Sequence, residues 1–182
     1  MSSSLKLTST KAYQEVIESL QKDNKKINPF ALAQIDKISI NVGVGRYDAK
    51  QQADIADYLS KITGNNPKQV PSKVSIAGFK LRKGQIVGLV STLRGTKMKD
   101  FLTQLIYIAL PRTRDFRGFS DASFDANGKV YSIGIPNASI FPAVGFDPSV
   151  QFGMQINIVF KTNSDLNKEL LTKLNFPFKR DI

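Results

Sequence analysis

The sequence predicts an α+β fold: an antiparallel or mixed β-sheet with helices packed on one face, a polar second face and a long protruding basic loop. Three observations lead there. Several segments alternate apolar and polar residues, which gives a strand one buried side. Others space apolar residues three and four apart, the stripe of an amphipathic helix. The two kinds follow one another without a strict βαβ repeat, so a parallel sheet covered on both faces is not expected. The chain has 182 residues and 41% hydrophobic content. That suits one compact domain, with an N-terminal part of about 1–83 and a C-terminal part of about 84–182 sharing one core.

Taken in order, Lys11 to Lys22 carries Tyr13, Val16, Ile17 and Leu20 at helical spacing. Lys37 to Val42 alternates, with Ile38, Ile40 and Val42 on one side and Lys37, Ser39 and Asn41 on the other. Asp48 is placed to cap a second helix reaching Ile62, and Gly64 to end it in the left-handed conformation before Asn65-Asn66-Pro67. A short strand is expected near Gln69 to Val74. Ile86 to Arg94 reads as another, with Val90, Thr92 and Arg94 on one face. Thr96 is a candidate cap for a helix to about Ala109, stopped by Pro111. Asp125-Ala-Asn-Gly128 reads as a hairpin turn, Tyr131 to Ile135 and Met154 to Lys161 as strands, and Ser164 or Asp165 as the start of a last helix carrying Leu166, Leu170, Leu171 and Leu174.

Composition closes much of enzymology. The chain has no cysteine and no histidine. It therefore lacks disulfides, a thiolate nucleophile, the commonest metal ligand and the commonest proton shuttle, and no metal or cofactor is expected. Asp121 and Asp125 do not form a convincing acid–base pair, and Gly43-Val-Gly45 lacks the further glycines or Gly-Lys-Ser/Thr of a nucleotide-binding turn. The first ten residues have no apolar signal region, and the longest apolar run, Leu105 to Leu110, is too short to span a bilayer. A cytoplasmic protein without a membrane partner is the expectation.

The net charge is +11. Between Lys73 and Arg117 ten basic residues face two acids, Asp100 and Asp115, so this stretch holds +8 of that total. Such fixed charge fits a polyanion whose counterions are released on binding. Two segments stand out. Ser75-Ile-Ala-Gly-Phe-Lys-Leu-Arg-Lys-Gly84 interleaves Lys80, Arg82 and Lys83 with Ile76, Phe79 and Leu81, which solvation alone does not explain. Leu110-Pro-Arg-Thr-Arg-Asp-Phe-Arg-Gly-Phe119 sets Arg112, Arg114 and Arg117 beside one acid, so at least two arginines stay available for phosphates, while Phe116 and Phe119 read as core anchors. An RNA-processing enzyme or another basic RNA-binding protein is the alternative reading. A peripheral membrane protein fits less well, because the charge sits on loops and a polar sheet face.

Six motifs occur in order: Ile40-Asn-Val-Gly-Val-Gly45, Lys73-Val-Ser-Ile-Ala-Gly-Phe-Lys-Leu-Arg-Lys-Gly84, Thr92-Leu-Arg-Gly95, Leu110-Pro-Arg-Thr-Arg-Asp-Phe-Arg-Gly118, Ile140-Phe-Pro142 and Phe176-Pro-Phe178. Together they make the sequence resemble the bacterial form of ribosomal protein L-five (L5) over nearly its whole length. The resemblance implies a non-catalytic protein of the central protuberance of the large ribosomal subunit. It implies 5S rRNA on the sheet face beside 23S-type rRNA, a long loop approaching P-site tRNA, and a bridge to small-subunit protein S-thirteen among neighbouring central-protuberance proteins. Carried over by motif, the rRNA-face residues are Asn41, Thr92 and Arg94, with Asn65 where the family usually has glutamine. The tRNA-side loop is Lys73 to Gly84, including Ser75, Gly78, Phe79, Lys80, Arg82 and Lys83. The chain departs from the family pattern at Ala33, at Phe124 to Tyr131, one residue longer, and around Pro136 to Ser139.

Overall fold

The structure is a computed structural model that describes residues 3–24, 28, 31–79, 81–113, 116–144, 151–162 and 166–179. Lys80, Arg114, Asp115, Ser164 and Asp165 lie outside the described residues, as does the side chain of Phe79.

Five strands, β1 (Ile35–Gly43), β2 (Lys68–Pro71), β3 (Ile86–Leu93), β4 (Val130–Ile135) and β5 (Met154–Phe160), form one sheet in the order β2-β3-β1-β5-β4. Every neighbouring pair is antiparallel. The alternation seen in the sequence decides which side is buried. Ile38, Ile40, Val42, Leu89, Leu93, Tyr131, Ile133, Ile156, Ile158 and Phe160 all point into a single core. The helices α1 (Ser3–Asp23), α2 (Ala49–Thr63), α3 (Gly95–Gln104) and α4 (Leu166–Lys173) supply the other half of that core through Tyr13, Leu20, Ile55, Leu59, Ile62, Met98, Phe101, Leu102, Leu170 and Leu171.

Local chemistry sets the element ends. At the start of α2 the Asp48 N–H donates to Gln51 Oε1 at 3.2 Å. At its end Gly64, with φ 67°, turns left-handed and donates its N–H to the Ser60 carbonyl at 2.7 Å. Thr96 does not cap α3. Arg94 occupies the cap position in extended conformation, and the helix begins at Gly95. The all-apolar run Leu105–Ala109 continues α3 as a π-helical turn, and Leu110–Arg112 closes it as a 3-10 turn around Pro111. The Asp125–Gly128 turn is present, with Gly128 N–H bonded to the Asp125 carbonyl at 2.7 Å and Phe124 bridged to Tyr131. α1 begins eight residues before Lys11, and β2 stops at Pro71, where the register slips.

Candidate nucleic-acid interface

The helices occupy one face of the sheet, and the outward side chains of the strands form the other. Register arranges them in rows. Thr92 lies opposite Ser39, Ser39 opposite Asn157, and Asn157 opposite Ser132, so one polar row crosses four strands. The next row runs Lys68, Val90, Asn41, Gln155, Gly134. A third brings Val70, Gly88 and Gly43 together. Neighbouring strands stand about 4.8 Å apart, so the first row presents short, neutral hydrogen-bonding groups at close intervals, while the other two mix amides and bare backbone with Lys68, Val90 and Val70.

At the C-terminal end of β3 the chain gathers four polar residues. Thr92 and Arg94 are exposed. Asn65, just past the end of α2, reaches the Thr92 carbonyl with its Nδ2 at 3.5 Å. Lys97, on the first turn of α3, donates to the Gly64 carbonyl at 2.8 Å and also to Asn65 Oδ1. Arg94 Nη1 lies 3.3 Å from Asp36 Oδ1, a pair whose side chains are 60% and 32% exposed, so the guanidinium keeps most of its donors in solvent. Asn65 from the end of α2 and Thr92 and Arg94 from the β3 segment thus meet at one corner of the open face, with Asn41 of β1 one row away opposite Val90.

The segment between β2 and β3 is a hairpin extension with its own hydrogen bonds. Ser72 and Gln85 close its base at 2.8 Å, and Gly84 N–H reaches the Ser72 carbonyl at 2.9 Å. Farther out, Ile76 and Leu81 exchange backbone bonds of 3.0 and 3.2 Å, and Lys83 N–H donates to Ser75 Oγ at 3.0 Å. Lys73, Ser75, Gly78, Arg82, Lys83 and Gly84 are exposed. So are the apolar side chains of Val74 and Ile76, at 63% and 45%. Exposed cations beside exposed aliphatics suit a partner surface more than solvent.

Arg112 and Arg117 are exposed on the segment after α3 and line a groove of about 750 Å³ together with Asn137 and Ser139. Phe116 and Phe119 are half-buried and line the same groove. They pack on the core, meeting edge to face at 5.1 Å, with Phe119 stacked on Phe176 at 5.6 Å. The segment is sewn to the C-terminal stretch: Phe119 N–H donates to the Pro177 carbonyl at 3.0 Å, and Lys179 N–H to the Phe119 carbonyl at 2.9 Å. Among the described residues no group of three or more acids could hold a metal ion, and no helix is long and apolar enough to cross a membrane.

Comparison with known proteins adds the lineage. The family model described as Ribosomal protein L5 matches residues 28–82, and the one described as ribosomal L5P family C-terminus matches residues 86–178. A large ribosomal subunit protein uL5 of Helicobacter hepaticus is 42% identical over 170 residues, covering 91% of this chain and 93% of its own. The protein of the same name in Ligilactobacillus salivarius is 41% identical, with 91% and 94% covered. The chain belongs to the ribosomal protein L5 family. Within this L5 chain two members of the candidate interface escape a reading of the sequence. Lys97 looks like one more surface lysine until folding brings it to Asn65, 32 residues away. Ser132 joins the polar row only through pairing of β4 with β5, although the alternation Val130, Ser132, Gly134 marks it as outward-facing.

Proposed function

We propose that this L5 family member is a structural, non-catalytic RNA-binding protein of the large ribosomal subunit that holds 5S rRNA on the open face of its sheet. One observation carries the reading. Asn65, distant in sequence from β3, meets Thr92 and Arg94 at one uncovered corner, with Lys97 beside them and Asn41 of β1 one row away. Neutral amides and hydroxyls at the centre of the face would read ribose and base edges, while Arg94 and Lys97 at its margin take phosphates. Arg112, Arg114 and Arg117 add phosphate contacts to rRNA of the 5S or 23S type. The hairpin from Lys73 to Gly84 approaches P-site tRNA, with Phe79 and Lys80 among its contacting residues. Neighbouring surfaces contribute to a bridge with S-thirteen and to contacts with other central-protuberance proteins.

The deciding experiment measures binding of the purified protein to matched 5S rRNA, an unrelated folded RNA and duplex DNA across a salt series. The expected result is a 5S affinity that exceeds the other two at every salt concentration. Equal affinities with equal salt slopes would reduce the interaction to charge attraction and refute the proposal.

A further inference from the structure

A shallow depression of about 660 Å³ crosses the open face at the end where β1 and β4 finish and β5 begins, lined by Asn41, Gln155, Gly43, Gly88 and Gly134 together with apolar side chains such as Val70 and Val90. Among the described residues none that lines it is charged. Gln155 on β5 is exposed and stands directly opposite Asn41 on β1 and Gly134 on β4. Two carboxamides therefore sit side by side at the edge of a patch of bare main chain, each offering two donors and an acceptor. Cations stand on the same face: Lys68 on the same row beyond Val90, and Arg94 and Lys97 farther off, past the C-terminal end of β3.

We infer that Gln155 is a specificity-determining residue of the RNA interface, paired with Asn41 to hydrogen-bond the neutral ribose and base edges of an RNA helix seated in the depression. The inference rests on the 5S rRNA reading above and extends it to β5. Charge complementarity selects RNA as occupant: a neutral, amide-edged hollow on a face that carries Lys68 beside it and Arg94 and Lys97 beyond β3 matches a polymer whose sugar edge is neutral and whose flanks are anionic. The wide, shallow minor groove of an A-form helix displays those sugar and base edges. Main chain is laid bare where a side chain could have stood. A Cβ added at Gly43 or Gly134 meets nothing within 4 Å, and neither residue has the positive φ that favours glycine. The fold itself does not require glycine there, whereas a closely approaching RNA edge does.

The test uses the full chain and matched 5S rRNA, with Gln155→Ala and Gly134→Val as variants, Thr92→Val and Arg94→Ala as comparators, and thermal melts to verify folding. Gln155→Ala should weaken binding by about two- to twelvefold, the worth of one net hydrogen bond, with the slope of log affinity against log salt unchanged. Gly134→Val should weaken it at least as much by filling the hollow. Wild-type affinity in both folded variants, alongside weakened binding in Thr92→Val and Arg94→Ala, would overturn the role of Gln155 and leave the sheet-face reading standing. A reduced salt slope in Gln155→Ala would equally overturn it, because the side chain would then be bonded to phosphate. Absence of specific 5S binding by the wild type would instead remove the reading on which the inference rests.

Discussion

The Nζ of Lys97 donates to the Oδ1 of Asn65 while also bonding the Gly64 carbonyl at the end of α2. This lysine does two things at once. It sets positive charge against the negative end of the α2 dipole, and it orients an amide that reaches back to β3 at the Thr92 carbonyl. Lys97 thereby holds Asn65 at the corner of the face. Lys97→Met should therefore lower stability by about 0.3 to 1 kcal/mol, read from urea melts, and weaken 5S rRNA binding. Unchanged stability and affinity would show that both bonds are dispensable.

Thr92→Val and Arg94→Ala should leave the fold intact and weaken 5S rRNA binding. The Arg94–Asp36 pair is a surface ion pair worth about 0 to 1 kcal/mol, so losing it costs the fold little. Losing a charged hydrogen bond to RNA should cost about 1.5 to 3 kcal/mol, with a smaller loss for the threonine hydroxyl. Asp36→Asn should act in the opposite direction, since it removes a competitor for the guanidinium. Titration of the three folded variants with one RNA checks all three signs.

The arginine segment separates charge from architecture. Alanine at Arg112, Arg114 and Arg117 should flatten the salt dependence by roughly 0.7 to 0.9 in log-log slope for each phosphate no longer neutralised, with little change in stability. Gly118→Ala should do the reverse. Gly118 has φ 88°, and an added Cβ would sit 2.7 Å from the Lys179 nitrogen and 2.8 Å from the Phe178 carbonyl carbon. A destabilisation of about 1 to 3 kcal/mol is expected in thermal melts.

Alkaline pH should unfold the protein partly through Tyr131. Burial, and then the negative charge of Asp121, push its phenol up to about 12 from 10.0, against the opposing hydrogen bond with Ser123. The neutral phenol also donates to the Ser120 carbonyl at 3.1 Å. Unfolded chains release this proton near pH 10 and the folded chain near 12, so the stabilisation is complete below pH 10 and lost as pH rises from 10 to 12. The loss is on the order of 2 kcal/mol. Burial raises Tyr13 as well and adds in the same direction. Urea midpoints followed through that window should fall less steeply in Tyr131→Phe than in the wild type.

Elements whose pattern is local were legible in the sequence. β1 and β5 alternate cleanly because one face is buried and the other open, and α2 announces both ends through Asp48 and Gly64. The early start of α1 was not legible, because Thr8, Ser9 and Thr10 are of types that favour local hydrogen bonds outside helices and break the apolar stripe. Nor was the π-helical turn at Leu105–Ala109, where a wholly apolar run has no period to betray its geometry. The site divides the same way. Thr92 and Asn41 follow from strand alternation, but the Lys97–Asn65 bond and the row through Ser132 exist only once distant segments pair.

The hairpin between β2 and β3 provides the sharpest separation of roles. Deleting Ser75 to Lys83 and joining the ends with a short glycine linker removes Lys80, Arg82 and Lys83, a change of three positive charges, together with the exposed Ile76. The cut leaves the Ser72–Gln85 bond at the base and the whole register between β2 and β3 in place. No residue of the open sheet face is removed. Affinity for isolated 5S rRNA should accordingly fall only modestly, by the long-range attraction of three charges that screening at physiological salt reduces within about 8 Å. Ribosomes carrying the variant should hold P-site tRNA less well, because the removed tip joins cations for phosphate with aliphatic groups for packing. Filter binding with 5S rRNA and tRNA retention on purified ribosomes separate the two effects. Loss of specific 5S binding, or wild-type tRNA retention, would show that sheet and hairpin do not divide the work in this way.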